Sequence, residues 1–168
     1  MTSHVAVSVR INAPVKQVWE TLSNLGGVMN YSAFVNNSYY DSKSESGVGC
    51  SRICEFDGMK VRETAVEWTP GKSYTLKVDF VEGGAPIENY VIAPRVVADG
   101  DVSIVYYDAS YDVKMGIIGH LLDHLMIQKQ IRSTMQRVLD GLKHHIETGE
   151  TVADTNVLKS IPAIATSA

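Results

Sequence analysis

Cysteine is scarce in this chain: two in 168 residues, Cys50 and Cys54. If both lie on one strand, four steps of about 3.3 Å put them roughly 13 Å apart. A disulfide needs Cα atoms closer than about 7 Å, so the spacing predicts two buried thiols on one sheet face. C-x3-C on a strand does not converge on a single ion either. Basic charge is also thin. Fifteen Lys and Arg stand against nineteen Asp and Glu, for a net charge of −4, and no basic block appears. That argues against a nucleic-acid groove, which needs cations concentrated on one surface. Every apolar run is broken within a few residues, which leaves no membrane-spanning helix and no stable insertion to expect. The N-terminus has neither a basic segment nor a continuous apolar core, so a cytoplasmic location is expected. Nucleotide and hydrolase signatures are missing too. No G-x-G-x-x-G follows a strand, there is no phosphate-binding loop, and none of Ser32, Ser44 and Ser51 sits in G-x-S-x-G. No internal repeat is present.

What the chain does have is a layout. Val5, Val7, Val9 and Ile11 alternate with small or polar residues over His4–Ile11, the mark of a strand with one buried face. Asn12-Ala13-Pro14 reads as a helix start, with Pro14 in the first turn where its missing N–H costs nothing. Val15, Val18, Trp19 and Leu22 form an i, i+3, i+4, i+7 stripe, and Gly26-Gly27 ends it. A second short helix is expected near Val28–Ala33, packing Met29, Tyr31 or Phe34 at the mouth of the fold. Strands then follow near Val35–Ser42, Gly49–Phe56, Met59–Trp68, Ser73–Val81, Glu88–Val97 and Val102–Tyr111. Ser46-Gly47, Asp57-Gly58, Pro70-Gly71, Gly83-Gly84 and Asp99-Gly100 supply the turns between them. Pro94 predicts a bulge or an edge position in the sixth strand. Last comes one apolar-striped helix from about Ile118 to Ile146. A helix of that length must bury its stripe, and the sheet is the only partner large enough. The fold class is therefore α+β: a seven-stranded curved antiparallel sheet around a long C-terminal helix, with two short helices after the first strand. It forms one domain over residues 1–147, with a flexible tail over 148–168.

Particular segments carry a family resemblance. Ile11-Asn12-Ala13-Pro14-Val15-Lys16-Gln17-Val18-Trp19 is similar to an I-x-A-P-x-x-x-V-W opening. Gly47-Val48-Gly49-Cys50-Ser51-Arg52, Asp57-Gly58, Val61-Arg62-Glu63 and Ile87-Glu88-Asn89-Tyr90 match later strands. Over about residues 4–147 the chain resembles the polyketide cyclase/dehydrase and lipid-transport group of the START/Bet v 1-like (SRPBCC) superfamily. That resemblance implies a helix-grip fold with a cavity between sheet and helix, holding a small hydrophobic or amphipathic molecule. It also implies that some relatives do chemistry there while others only bind, so the fold supplies a site and not a reaction.

Strand parity nominates the cavity residues. Arg52 shares a face with Cys50 and Cys54, and Glu63 with Val61 and Ala65. In the family the position of Glu63 points into the cavity. A carboxyl left alone in apolar surroundings holds its proton to near neutral pH and can act as general acid or base; paired with Arg52 or Arg95, it merely orders the sheet. Tyr106 and Tyr107 face opposite ways, and Tyr107, flanked by Val105 and Ala109, is the one expected inside. Catalysis would use Glu63 as acid/base, Arg52 to stabilise charge and Tyr107 as hydroxyl donor. The remaining expected ligand contacts are Met29 and Phe34 at the mouth, Asn89 as a polar anchor, and Leu121, Leu125, Gln128, Arg132 and Met135 along the helix. Arg132 either grips an anionic group or snorkels to solvent. His120 and His124 are four apart, but spacing assigns no third ligand, so neither a metal nor a cofactor is expected. Ligand binding leads a cyclase or dehydratase activity, with a closed interaction module third. An interior above about 300 Å³ favours a ligand, and an exposed apolar patch favours the module. A homodimer would form through a sheet edge or the outer side of the helix.

Overall fold

A computed structural model describes residues 2–114 and 126–152. Leu121 and Leu125 lie outside the described residues, as do His120, His124 and the chain after 152. The strands are β1 (Thr2–Ile11), β2 (Asn37–Tyr40), β3 (Ser51–Phe56), β4 (Met59–Thr69), β5 (Ser73–Glu82), β6 (Ile87–Asp99) and β7 (Val102–Val113). They form one antiparallel sheet in the order β1-β7-β6-β5-β4-β3-β2. Helix α1 (Val15–Ser23) and a 3₁₀ helix (Leu25–Asn30) follow β1, and α2 (Gln128–Thr148) closes the domain. This is the helix-grip arrangement that the order of elements predicts.

Sheet curvature has local causes. A β-bulge bends its strand and increases the twist, and the register shifts at Lys60/Val61 and Ala65/Glu67 between β4 and β5. It shifts again at Glu88/Val91 between β6 and β7. Asn89 sits in that last irregularity with φ 51°, a left-handed conformation that Asn tolerates better than most residues. The bulge of β6 is therefore at Asn89, and not at Pro94. Nor is β6 an edge, since it lies between β5 and β7. Pro94 is accommodated by a gap in the β5–β6 ladder. Val96 donates its N–H to Lys72 O at 2.8 Å, so the position two residues earlier faces β5 as well. The ladder is unpaired between Ser73↔Arg95 and Leu76↔Ile92, which is where a proline's missing donor falls.

The helix ends differ slightly from expectation. Pro14 itself caps α1 in extended conformation, one residue later than the pattern suggests. Gly26 and Gly27 belong to the 3₁₀ helix instead of stopping α1. Gly26 is held there because its N–H donates to Tyr40 Oη at 2.9 Å, and a Cβ would meet the Tyr40 ring at 2.7 Å. Val18 and Leu22 are the buried stripe of α1. Trp19 continues it into an aromatic cluster, 5.8 Å from Trp68 and 6.1 Å from Tyr74 between ring centroids, which fastens α1 to β4 and β5.

Helix α2 covers the β1 edge of the sheet. An edge strand presents unpaired carbonyls, and here the helix satisfies them with long side chains. Arg132 Nη1 donates to Ala6 O at 2.7 Å, Gln136 Nε2 to Ser8 O at 3.4 Å, and Lys143 Nζ to Arg10 O at 2.8 Å. Every second carbonyl from Ala6 to Arg10 is thereby taken. The apolar side of α2 buries Met135, Leu139, Leu142 and Ile146. Beyond its left-handed Gly149 cap, Val152 is buried and donates its N–H to Asn30 O at 2.9 Å. No described helix is long and apolar enough to cross a membrane.

One close approach fixes α2 against the 3₁₀ segment. A Cβ on Gly141 would lie 2.1 Å from the carbonyl oxygen of Tyr31. Backbone cannot yield as a side chain does. Gly141→Ala should therefore lose about 1–3 kcal/mol or more, as overpacked cores do, despite the better helix propensity of alanine. Urea unfolding checks this, and unchanged or raised stability would show that α2 sits farther from Tyr31.

Candidate functional site

The concave sheet face, the 31–36 segment and α2 enclose a cavity of about 160 Å³. Its sheet wall is mostly aliphatic and aromatic: Val61 of β4, Leu76, Val78 and Phe80 of β5, and Ile92 and Pro94 of β6. The hairpin between β3 and β4 adds Phe56 and Met59, and α2 adds Thr134, Met135 and Val138. Phe34 and Val35 close one side. Arg137 of α2 lies over the Phe34 ring, its guanidinium carbon 4.7 Å from the centroid. That cation–π contact is worth about 0.5–1 kcal/mol at an exposed site and ties the segment to the helix.

Charged groups enter this wall at one place. Arg52 and Glu63 stand opposite each other across the β3–β4 hairpin and are 6% and 7% exposed. Arg52 Nε and Nη2 both reach Glu63 Oε2, at 2.6 and 2.5 Å. Arg52 Nη1 donates to Leu25 O, which carries the pair across to the 3₁₀ helix. Cys54 Sγ is 3.8 Å from the same Oε2. Both hydrogen bonds and the thiol contact fall on one carboxylate oxygen. Burial opposes the Arg52 charge, but the Glu63 carboxylate beside it outweighs that cost and holds the guanidinium charged.

Three tyrosines surround the pair. Tyr31 is fully buried, and burial pushes its hydroxyl up to about 12, although Arg52 works the other way. Tyr74 donates to Leu22 O at 2.9 Å, and the hydroxyl of Tyr107 lies beside that of Tyr74. Burial raises both of these as well. The Cys54 thiol is likewise pushed up to about 12, by burial first and the Glu63 charge second. It remains a protonated, weak nucleophile.

The residues nominated from sequence are thus partly brought together. Glu63, Arg52, Tyr107, Phe34 and Met135 line the one cavity. Met29 does not; its sulfur accepts from the Ser38 N–H at 3.1 Å and packs the 3₁₀ helix against β2. Asn89 is exposed and its Nδ2 donates to Asp112 Oδ2 at 2.9 Å. Arg132 is exposed and serves the β1 edge. Gln128 is half-buried at the start of α2 and is absent from the wall. Of the two partners considered for Glu63, the structure uses Arg52; Arg95 pairs with Asp108 and stacks on Tyr106 on the opposite face. Tyr74 escaped the sequence reading but was detectable, since it alternates with Leu76 and Val78 on one strand face. Tyr31, expected at the mouth beside Met29 and Phe34, is instead fully buried next to the pair. Among the described residues no group of three His, Cys, Asp or Glu could hold a metal ion.

Breaking a buried pair strands one charge. Glu63→Gln should cost about 3–5 kcal/mol, whereas the apolar double substitution Arg52→Met with Glu63→Leu should cost far less or nothing. Denaturant titration compares them; equal losses would mean that the pair is solvated. The tyrosines and Cys54 give a pH signature. Their folded values lie above the unfolded ones, so their contribution is full below the unfolded pKa and is lost as pH rises toward the folded one. Stability should fall from about pH 9–10 upward and go on falling as far as 12, where Tyr31 and Cys54 titrate in the folded protein. A flat melting temperature from pH 8 to 12 would contradict it.

The sequence matches the family model described as polyketide cyclase/dehydrase and lipid transport over residues 2–147. No curated protein matches it. Among solved structures it is similar to XoxI from Bacillus cereus, with a TM-score of 0.69 at 14% identity over 87% of this chain and 96% of that one. TTHA0849 from Thermus thermophilus gives 0.67 at 21% identity, over 88% and 99%. Truncated norcoclaurine synthase from Thalictrum flavum gives 0.64 at 14%, over 88% and 95%. At these identities the structures establish the shared fold, and the family match covers nearly the whole described domain. The chain belongs to the polyketide cyclase/dehydrase and lipid-transport family.

Proposed function

We propose that the protein binds a small hydrophobic or amphipathic molecule, aromatic, lipid-like or polyketide-like, in the cavity between sheet and α2. The observation that carries this reading is a largely apolar cavity between sheet and helix whose charged groups, Arg52 and Glu63, stand together in the wall. Binding sites combine apolar walls with a few placed polar groups in this way. The space is about 160 Å³, well below the 300 Å³ or so of typical ligand pockets. An apolar cavity of about 150 Å³ still takes a benzene-sized molecule. The ligand that fits the closed form is therefore compact, and a longer one requires Phe34 to leave its place beneath Arg137.

A second reading, acid/base chemistry of the cyclase or dehydratase type, has one observation in its favour: Glu63, Arg52 and Tyr107 line the same cavity. It also has an obstacle. The condition for a general acid, a carboxyl alone in apolar surroundings, is not met where a guanidinium makes two contacts with it. Binding without turnover suits the arrangement better.

Native mass spectrometry with solvent extraction tests the proposal. A fraction of the protein should carry a non-covalent adduct that is released on denaturation. Val138→Trp, which fills the cavity from α2, should reduce that fraction at least tenfold with the fold retained. An adduct that persists in the Val138→Trp protein would place the ligand elsewhere.

A further inference from the structure

The hydrogen bonds around Glu63 are lopsided. Arg52 Nε, Arg52 Nη2 and Cys54 Sγ all address Oε2. Among the described residues no hydrogen bond reaches Oε1. The carboxylate is nine-tenths buried, yet it forms part of the cavity wall. Among the surrounding donors, Arg52 Nη1 is given to Leu25 O and the Tyr74 hydroxyl to Leu22 O, while Tyr90, Tyr107 and Thr134 add hydroxyls to the wall. The cavity thus offers an incoming molecule one charged acceptor, Glu63 Oε1, in a wall that is otherwise aliphatic, aromatic and hydroxyl-bearing beside the paired Arg52.

From this geometry we infer that the ligand is a compact, neutral, ring-sized molecule carrying an O–H or N–H donor that it gives to Glu63 Oε1. The inference rests on the binding reading above and narrows it to a ligand class. A hydrogen bond to an ionised acceptor is about twice as strong as a neutral one. A carboxylate ligand would bring like charge against Glu63 in a low-dielectric space and is disfavoured. A hydrocarbon fits the volume but leaves Oε1 unpaired, and a site built to hydrogen-bond a hydroxyl discriminates strongly against the analogue that lacks it. The polar anchor is accordingly Glu63, in place of the guanidinium grip that the helical arginine suggested.

Three probes of similar ring size decide it: phenol, benzene and benzoate, titrated into the full-length protein by calorimetry or by NMR shift changes of the Val61, Leu76 and Val78 methyls. Phenol should bind at least tenfold more tightly than benzene, and benzoate more weakly than either. In the Arg52→Met, Glu63→Leu double variant, phenol and benzene should come within about threefold of each other, since only apolar transfer remains. If benzene equals phenol in the unmodified protein, or benzoate exceeds it, the inference is overturned while the binding reading stands. If none of the three perturbs those methyls, the binding reading itself fails. The ranking in the unmodified protein decides the matter even where the double variant is poorly folded.

Discussion

A charged pair inside an apolar box governs this molecule. Taking Arg52 and Glu63 out of water costs several kcal/mol per ion, and the surroundings must return that through close, directed contacts. They do so in a way that fixes several elements at once. The guanidinium joins β3 to β4 through Glu63 and reaches the 3₁₀ helix through the Leu25 carbonyl. Tyr31, packed beside it, is pressed by Gly141 of α2. Sheet, 3₁₀ helix and long helix therefore meet around one guanidinium. A shift in any of them would leave a buried charge or carbonyl without its partner, at about 1–3 kcal/mol for an ordinary polar group and more for an ion.

The same pair shapes what the cavity can do. Because both Arg52 nitrogens converge on Oε2, the carboxylate is paired on one oxygen without being exhausted as an acceptor. Its tyrosine neighbours keep their protons through burial. The Cys54 thiol is protected by the same effect and is not a nucleophile waiting for a substrate. What results is a rigid polar point in an apolar wall, suited to orienting a molecule. The Phe34–Arg137 contact at the side of the cavity is weaker by comparison.

Much of this was legible in the chain. Turn chemistry placed six of the seven strands to within a few residues, because glycine after Asp, Ser or Pro punctuates alternating apolar runs. Parity gave Arg52 the face of Cys50 and Cys54, Glu63 that of Val61 and Ala65, and Tyr107 that of Val105 and Ala109, while the family resemblance turned Glu63 toward the cavity. The facing of Arg52 and Glu63 was also available in principle: a two-residue Asp57-Gly58 turn pairs Phe56 with Met59, and counting back along the hairpin sets 52 opposite 63. What sequence could not give was anything decided by tertiary contact. Arg132 looks like a ligand grip until the β1 edge carbonyl it satisfies is known. Asn89 looks like an anchor until its left-handed backbone identifies a bulge. Pro94 signals trouble in a strand, but only the β5–β6 gap shows how an interior strand absorbs it. Tyr31 has no periodic signal because it follows a 3₁₀ helix.

The central claim is that Arg52 is locked, buried and shared between sheet and 3₁₀ helix. Hydrogen exchange of arginine side-chain Nε–H groups, read by nitrogen-15 NMR at neutral pH, addresses it most directly. Protection there reports the opening of a specific local structure. The account predicts a sharp Arg52 Nε–H signal exchanging at least a hundredfold more slowly than that of Arg10, whose side chain is 61% exposed. Exchange of Arg52 as fast as Arg10 would contradict it.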